Sequence, residues 1–378
     1  MRNHSPASHN LRATLRILHR RIGVLLGIWL VLVSLSGGLL VFREEIEVFF
    51  NRDLTQVAPL GSKAPLQPAL DRARLEHPNA VFKTVNIPEA PGRSISFWGH
   101  DPEGRSFHVY TDPYTGHLLG SRLAESDVTE WLYLFHAQLL GGSWGERVNG
   151  ASSLAWTVLL VAGILLWIPT RGRSWTEGLR VLPNAGWRRQ AFDLHRAVGF
   201  WAVLPMLAVV ITGAYFPFNA PFEWLISTLT TSSAAESAPI ADQRPAMTSG
   251  ISLDRVLEVS SAVLPEAPPN WIRLPEGQRS YFTVRKHLPG DWRLEGSQHL
   301  KIDSADGRLL SVDLQSERTR AQRILRSIFP IHAGTFGGTI TRALWVGLGF
   351  VPLVLFVTSV SLWMTRGRAA ISAPRTSQ

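Results

Sequence analysis

The chain has 378 residues, a formal net charge of +9 and no cysteine. The length allows more than one domain. The absence of thiols excludes thiolate-ligated iron–sulfur clusters, covalent c-type haem attachment, thiol catalysis and disulfides.

In chain order, segment 1–21 is basic, with Arg2, Arg12, Arg16, Arg20 and Arg21 and no acid. An uncharged run at 22–42 follows; a helix needs roughly 20 apolar residues to cross a bilayer core, so this reads as the first span. It is too long for a signal-peptide core and has no small-residue cleavage site, so it reads as a retained anchor. Segment 43–126 reads as a small outer α+β domain, with a helix at 68–77, strands at 81–86, 93–98 and 106–111, and a turn at 112–116. Segment 127–147 reads as a membrane-proximal helix, with Asp127 and Glu130 suited to its N-terminus, ending in a turn at His136 and Gly141-Gly142. The second span is 148–170, a basic loop fills 171–196, and the third span is 197–222. Segment 223–314 holds a Ser/Ala/Pro-rich linker at 232–248 and a second outer unit. That unit has a helix at 253–263, strands at 271–274, 280–286 and 299–302, and a turn at 303–307. Segment 315–342 is again a membrane-proximal helix with a turn at His332 and Gly337-Gly338, the fourth span is 343–365, and 366–378 is a basic tail.

Charge gives an orientation. Segments 1–21, 171–196 and 366–378 hold 14 arginines against Glu177 and Asp193, a net +12, which leaves −3 for the rest of the chain. By the positive-inside rule both termini and the middle loop are cytoplasmic, and the long segments 43–147 and 223–342 face outward. The basic balance therefore reflects topology. No basic-aromatic nucleic-acid motif is present, and no nucleic acid is expected as a partner.

The halves repeat. Leu18-His19-Arg20-Arg21-Ile22-Gly23 corresponds to Leu194-His195-Arg196-Ala197-Val198-Gly199, and Phe135-His136-Ala137 to Ile331-His332-Ala333. Leu166-Trp167-Ile168-Pro169-Thr170-Arg171-Gly172-Arg173 corresponds to Leu362-Trp363-Met364-Thr365-Arg366-Gly367-Arg368. Both halves run the same way, which is a parallel repeat about an axis along the membrane normal. The expected fold is a four-helix membrane bundle with a parallel two-fold internal repeat and two small outer α+β domains.

His19, His136, His195 and His332 recur at matched places at membrane boundaries, where an ionisable side chain is costly unless used. Neutral imidazole is a standard haem-iron ligand. Gly23 and Gly199, one helical turn after His19 and His195, leave room for a flat macrocycle or for close helix packing. Arg20, Arg21 and Arg196 can pair with haem propionates or simply anchor the cytoplasmic side. A span of about 23 residues rises roughly 35 Å, so His19 and His195 cannot share an iron with His136 and His332. The expected cofactors are two non-covalent b-type haems, each held by two histidines, one from each half. Met206 and Met364 read as packing residues, and outer histidines such as His108 and His117 as surface residues.

The order of L-H-R-x-x-G, H-A-x-x-x-G-G, W-x-P/T-x-R-G-R and D-P-Y-T-G resembles the PepSY-associated transmembrane helix family, over about residues 15–368. The resemblance implies PepSY-like periplasmic domains, a bacterial inner-membrane location, haem ligation at the four histidines, and kinship with di-haem ferrisiderophore reductases of iron uptake. The expected activity is haem-dependent reduction of a ferric siderophore in the periplasm, with release of Fe(II). With no P-loop and no dinucleotide fingerprint, electrons would come from a membrane quinol or a cytoplasmic reductase. The lipid bilayer is a further partner. Two alternatives remain open at this point: a PepSY-type regulator of a peptidase, and a component of siderophore or iron transport.

Overall fold

The computed structural model describes residues 6–169, 174–232, 250–289, 291 and 296–371, with side chains described from Leu11 to Met364. Nearly all of the linker 232–248 lies outside the described residues, as do Arg2, Arg171, Arg173, Arg375 and the side chains of Arg366 and Arg368.

The chain opens with α1 (Pro6–Leu25) and α2 (Gly27–Leu40), which meet at a 60° bend. The run 22–42, expected as one continuous span, is therefore the end of one helix and all of the next. A Cβ on Gly27 would come within 2.3 Å of the Phe356 ring, so the chain turns where the fourth-span helix presses against it. Next come α3 (Arg43–Phe50), α4 (Arg52–Thr55), α5 (Leu66–Glu76), β1 (Val81–Asn86), β2 (Ile95–His100), β3 (Ser106–Thr111) and β4 (Leu118–Leu123). Then α6 (Val128–Gln138), α7 (Gly142–Trp167), α8 (Trp187–Tyr215) and α9 (Asn219–Thr230) return the chain through the bundle. The second half closes with α10 (Leu253–Val263), β5 (Pro269–Arg273), β6 (Tyr281–Lys286), β7 (Gln298–Asp303), β8 (Leu309–Asp313), α11 (Arg320–Ala333) and α12 (Gly338–Ile371).

Among the described residues, three helical stretches are long and apolar enough to cross a membrane: Gly142–Trp167, Trp187–Tyr215 and Thr335–Met364. The bent pair α1–α2 passes only when its two parts are taken together. The third span starts and ends earlier than the expected 197–222. Pro217 has no N–H to offer the Gly213 carbonyl, so the helix stops and α9 starts afresh.

The expected two separate outer units are instead one antiparallel sheet, ordered β4-β3-β2-β1-β5-β6-β7-β8. The halves join where β1 pairs with β5, through Thr84↔Arg273, Val85↔Ile272 and Asn86↔Trp271. Each four-stranded unit alone would expose β1 or β5 as an edge, and pairing the two edges satisfies both. Sequence patterning misses β4 and β8 because both are half-exposed outer strands without clean alternation.

One face of the sheet packs on α5 and α10 through Phe97, Val85, Ile272, Val284 and Leu300, all essentially buried. The two helices cap each other: Asp254 accepts from the N–H of Leu66 at 2.6 Å and of Gln67 at 3.1 Å, and Gln67 Oε1 accepts from the N–H of Leu253 at 2.8 Å. Exchanged caps supply acceptors that the first turn of a helix lacks. The opposite face is polar. Register places Arg122, His108, Trp98, Thr84, Arg273, Thr283 and Lys301 side by side across it.

At its two ends this polar face is tied to the helices that carry the outer histidines. Arg122 pairs with Asp127, the N-cap of α6, whose carboxylate also accepts from the N–H of Thr129 at 2.9 Å. In the second half Arg318 binds Asp313 at 2.9 Å just before α11, which opens with a capping box between Thr319 and Gln322. Glu130, expected at the N-terminus of the helix, pairs with Arg43 at 2.7 Å.

Candidate functional site

The four histidines form two pairs, each with one member from either half. The His19 and His195 rings, on α1 and α8, have centroids 6.3 Å apart. The His136 and His332 rings, on α6 and α11, are 6.0 Å apart. Two axial metal–nitrogen bonds of about 2 Å, with the half-width of each ring added, put bis-histidine centroids about 6 Å apart. Both pairs have the spacing that a shared iron requires.

The ring environments repeat as the sequence does. His19 Nδ1 donates to the Leu159 carbonyl at 3.0 Å and His195 Nδ1 to the matching Leu355 carbonyl at 3.2 Å. His136 Nδ1 donates to the Val33 carbonyl at 2.9 Å and His332 Nδ1 to the Val209 carbonyl at 3.0 Å. A carbonyl only accepts, so in all four rings Nδ1 carries the proton and Nε2 keeps its lone pair. This outer hydrogen bond is the arrangement that orients a metal-ligating imidazole and raises its basicity. Hydroxyls add to it: Ser36 at 3.3 Å from His136, Thr212 at 3.2 Å from His332, and Thr358 and Ser359 at 3.0 and 3.3 Å from His195.

Glycines make room for the rings. A Cβ on Gly37 would sit 2.7 Å from His136 Cε1, on Gly163 3.0 Å from His19 Cε1, and on Gly213 3.2 Å from His332 Cε1. Gly37 and Gly213 are repeat-equivalent.

The His19–His195 pair opens into a cavity of about 630 Å³, within the range of roughly 300–1,000 Å³ usual for cofactor sites. Gly23, Gly199, Arg20 and Arg196 line it. Arg21 does not: it is exposed and lies off the face of α1 that lines the cavity. Arg12 and Arg16, not singled out in the sequence, take its place. Their spacing from Arg20 at successive helical turns was the available signal. Arg12 also donates to the Ile168 carbonyl at 2.7 Å at the end of α7. The Arg196 guanidinium stands over the Trp167 and Phe192 rings, at 5.8 and 5.6 Å from their centroids. Apolar walls, two facing imidazoles and a guanidinium-rich rim suit a flat macrocycle with carboxylate tails. Met206 also lines this cavity, while Met364 is exposed.

The pairs occupy different levels of the bundle. Along α8, the rise from His195 to Val209, which the His332 ring reaches, is roughly 21 Å at 1.5 Å per residue. Buried Trp156, packed with Leu30, Val33 and Val210, fills part of the layer between.

Outside the bundle, two further histidines are repeat-equivalent. His108 on β3 faces Arg122, and His299 on β7 faces Asp313. Burial pushes the His108 imidazole down to about 4, with Arg122 and Arg43 working the same way against Glu47. Burial, aided by Arg326, pushes His299 to about 3. Burial raises the Tyr110 phenol, which donates to Glu47 at 2.8 Å. His108 and His117 are not cross-strand neighbours, and among the described residues no group of three or more His, Asp or Glu converges as a metal site would require.

Apolar helices enclosing two imidazole pairs at two levels, beneath a single antiparallel sheet, define a helical membrane protein built by internal duplication. The chain belongs to the family of the PepSY-associated TM region, whose model matches residues 16–366. It is also similar to the uncharacterized protein PA4219 of Pseudomonas aeruginosa, with 24% identity over 258 residues, 63% of this chain and 64% of that protein. The chain therefore spans about 64% of the length of the curated relative it matches.

Proposed function

We propose that this protein is a di-haem b membrane oxidoreductase that passes single electrons across the bilayer to Fe(III) held by a siderophore. The observation that carries this reading is the recurrence of one arrangement twice: two imidazoles about 6 Å apart, each with Nδ1 on a backbone carbonyl and Nε2 left as a ligand. In this reading α1–α2 count as one broken span, giving four, and the arginine asymmetry puts the His19–His195 pair on the cytoplasmic side. His136 and His332 then lie toward the periplasm of a bacterial inner membrane, beneath the sheet.

Haem bound at these pairs supplies a one-electron iron couple. The protein's residues do the rest. The four carbonyls hold the rings in register, Arg12, Arg16, Arg20 and Arg196 offset carboxylate charge at the cytoplasmic rim, and the Trp156 layer keeps water from the path. Hard oxygen donors hold Fe(III) far more tightly than Fe(II), so reduction alone loosens the metal. The electron donor in this reading is a membrane quinol or a cytoplasmic reductase.

The test is the visible spectrum and pyridine haemochrome of the detergent-purified chain, then of His19→Ala and His136→Ala. Two low-spin haems per chain are expected, with each substitution disturbing a different one. One haem or none in the fully loaded chain overturns the reading, and so does loss of the same haem in both variants with the other intact.

A further inference from the structure

We infer that the centre of the polar sheet face is the docking surface for the electron acceptor, and that the acceptor it fits is an anionic Fe(III) chelate with aromatic oxygen donors. This rests on the electron-transfer reading above and names the substrate class and its seat.

Symmetry gives the location. β1 and β5 pair antiparallel about Val85↔Ile272, so the axis relating the two halves passes between them. The same relation places His136 opposite His332. The Arg122–Asp127 and Asp313–Arg318 bridges join the ends of the polar face to α6 and α11, the helices that carry those histidines. The other face is filled by α5 and α10. The centre of the polar face therefore stands on the axis of the outer histidine pair.

Chemistry gives the occupant. The central positions are Trp98, Thr84 and Arg273 in one row, and Asn86 and Trp271 in the next. None is aliphatic, Asn86 and Arg273 are exposed, and the two indoles and Thr84 are only partly buried. The Arg285 guanidinium lies 5.5 Å from the Trp271 ring centroid. Indole faces beside guanidinium groups favour flat aromatic rings that carry negative charge, through stacking, cation–π and charge-assisted contacts. Catecholate and phenolate chelates of iron have both properties, whereas hydroxamate chelates have neither the rings nor the same charge. In the reaction one electron from the outer site converts Fe(III) to Fe(II), the freed phenolate oxygens take up protons from water, and no bond within the chelator breaks. The electron is replaced from the quinol or reductase donor.

The test uses the full chain in nanodiscs. Binding of the redox-inert Ga(III) tris-catecholate is measured by equilibrium dialysis, and reduction of the Fe(III) tris-catecholate is followed after the haems have been reduced. Arg273→Glu is expected to raise Kd for the gallium chelate about tenfold or more, since it sets like charges together. It should raise KM with kcat and the haem spectrum unchanged. Trp271→Leu should weaken binding several-fold, and a ferric trihydroxamate should be indifferent to both substitutions. Wild-type Kd and KM in both variants overturn the docking surface. Equal loss for catecholate and hydroxamate overturns the assignment of substrate class. Gallium binding does not depend on haem, so a chain that lacks haem yet binds the gallium chelate through Arg273 defeats the electron-transfer reading and leaves the surface standing.

Discussion

Arg122 and Asp313 occupy the same position in the two halves of the sheet and carry opposite charges. Each lies across from a half-buried histidine, His108 or His299, and each meets a partner of the other sign, Asp127 or Arg318. The duplicated fold has kept an ion pair at both junctions between sheet and bundle while exchanging its polarity. What the position requires is a bridge, with either sign at either end.

This gives a stability prediction. Asp127 is 6% exposed, so Arg122→Ala leaves a buried carboxylate without its guanidinium and should cost roughly 3–5 kcal/mol. The double substitution Arg122→Asp with Asp127→Arg reproduces the second-half polarity and should recover part of the loss. Glu47, 3.6 Å from Arg122, would then oppose the new aspartate, and adding Glu47→Gln should recover more. Thermal midpoints of the four proteins in detergent check the series. A double variant no more stable than Arg122→Ala would show that polarity is set locally.

The glycines beside the rings give a graded prediction. Gly37→Ala places a methyl against the His136 ring and should displace it, which on the proposed di-haem reading gives a high-spin component in the outer haem alone. Gly163→Ala should do the same to the inner haem. Gly213→Ala, with the widest gap of the three, should have the smallest effect. Low-temperature spectra of the three variants decide the order.

The hydroxyls beside the rings give a further prediction. Thr358 lies 3.0 Å from His195 Nδ1, and the matching position in the first half, Ala162, has no hydroxyl to offer His19. Thr358→Val removes an acceptor of similar size, which lowers the basicity of the ligand and favours ferrous iron. On the proposed di-haem reading, the midpoint potential of the inner haem should rise while the outer one stays in place, as read by spectroelectrochemical titration.

Acid should loosen the sheet. His108 and His299 are held neutral in the folded chain, at about 4 and about 3 against an unfolded value of 6.5. The unfolded state therefore binds more protons as pH falls below 6.5. Stability from these groups is complete above that value, declines through the window from 6.5 to about 4, and continues to decline to about 3 for His299. Around His299 the charged neighbours are Arg326, Arg318, Arg285 and Asp313. His299→Gln should flatten the pH dependence of the thermal midpoint in this window, and an unchanged slope would rule out the assignment.

Much of this protein is set by its sequence alone. The uncharged runs, the arginine asymmetry, the duplicated motifs, the helices at α5, α6 and α10 and the four matched histidines are properties of residue type and short-range spacing, and side-chain chemistry specifies them locally. The face of α1 that carries Arg12 and Arg16 is also legible in helical spacing, and that spacing excludes Arg21. Other features arise only in three dimensions. The joining of β1 to β5 depends on two edges meeting across nearly 200 residues of chain. The bend before Gly27 depends on where Phe356 lands. The acceptors that fix the four bundle imidazoles are backbone carbonyls of Leu159, Leu355, Val33 and Val209. Any residue type supplies a carbonyl, so only the packing of one helix against another decides which carbonyl a histidine reaches.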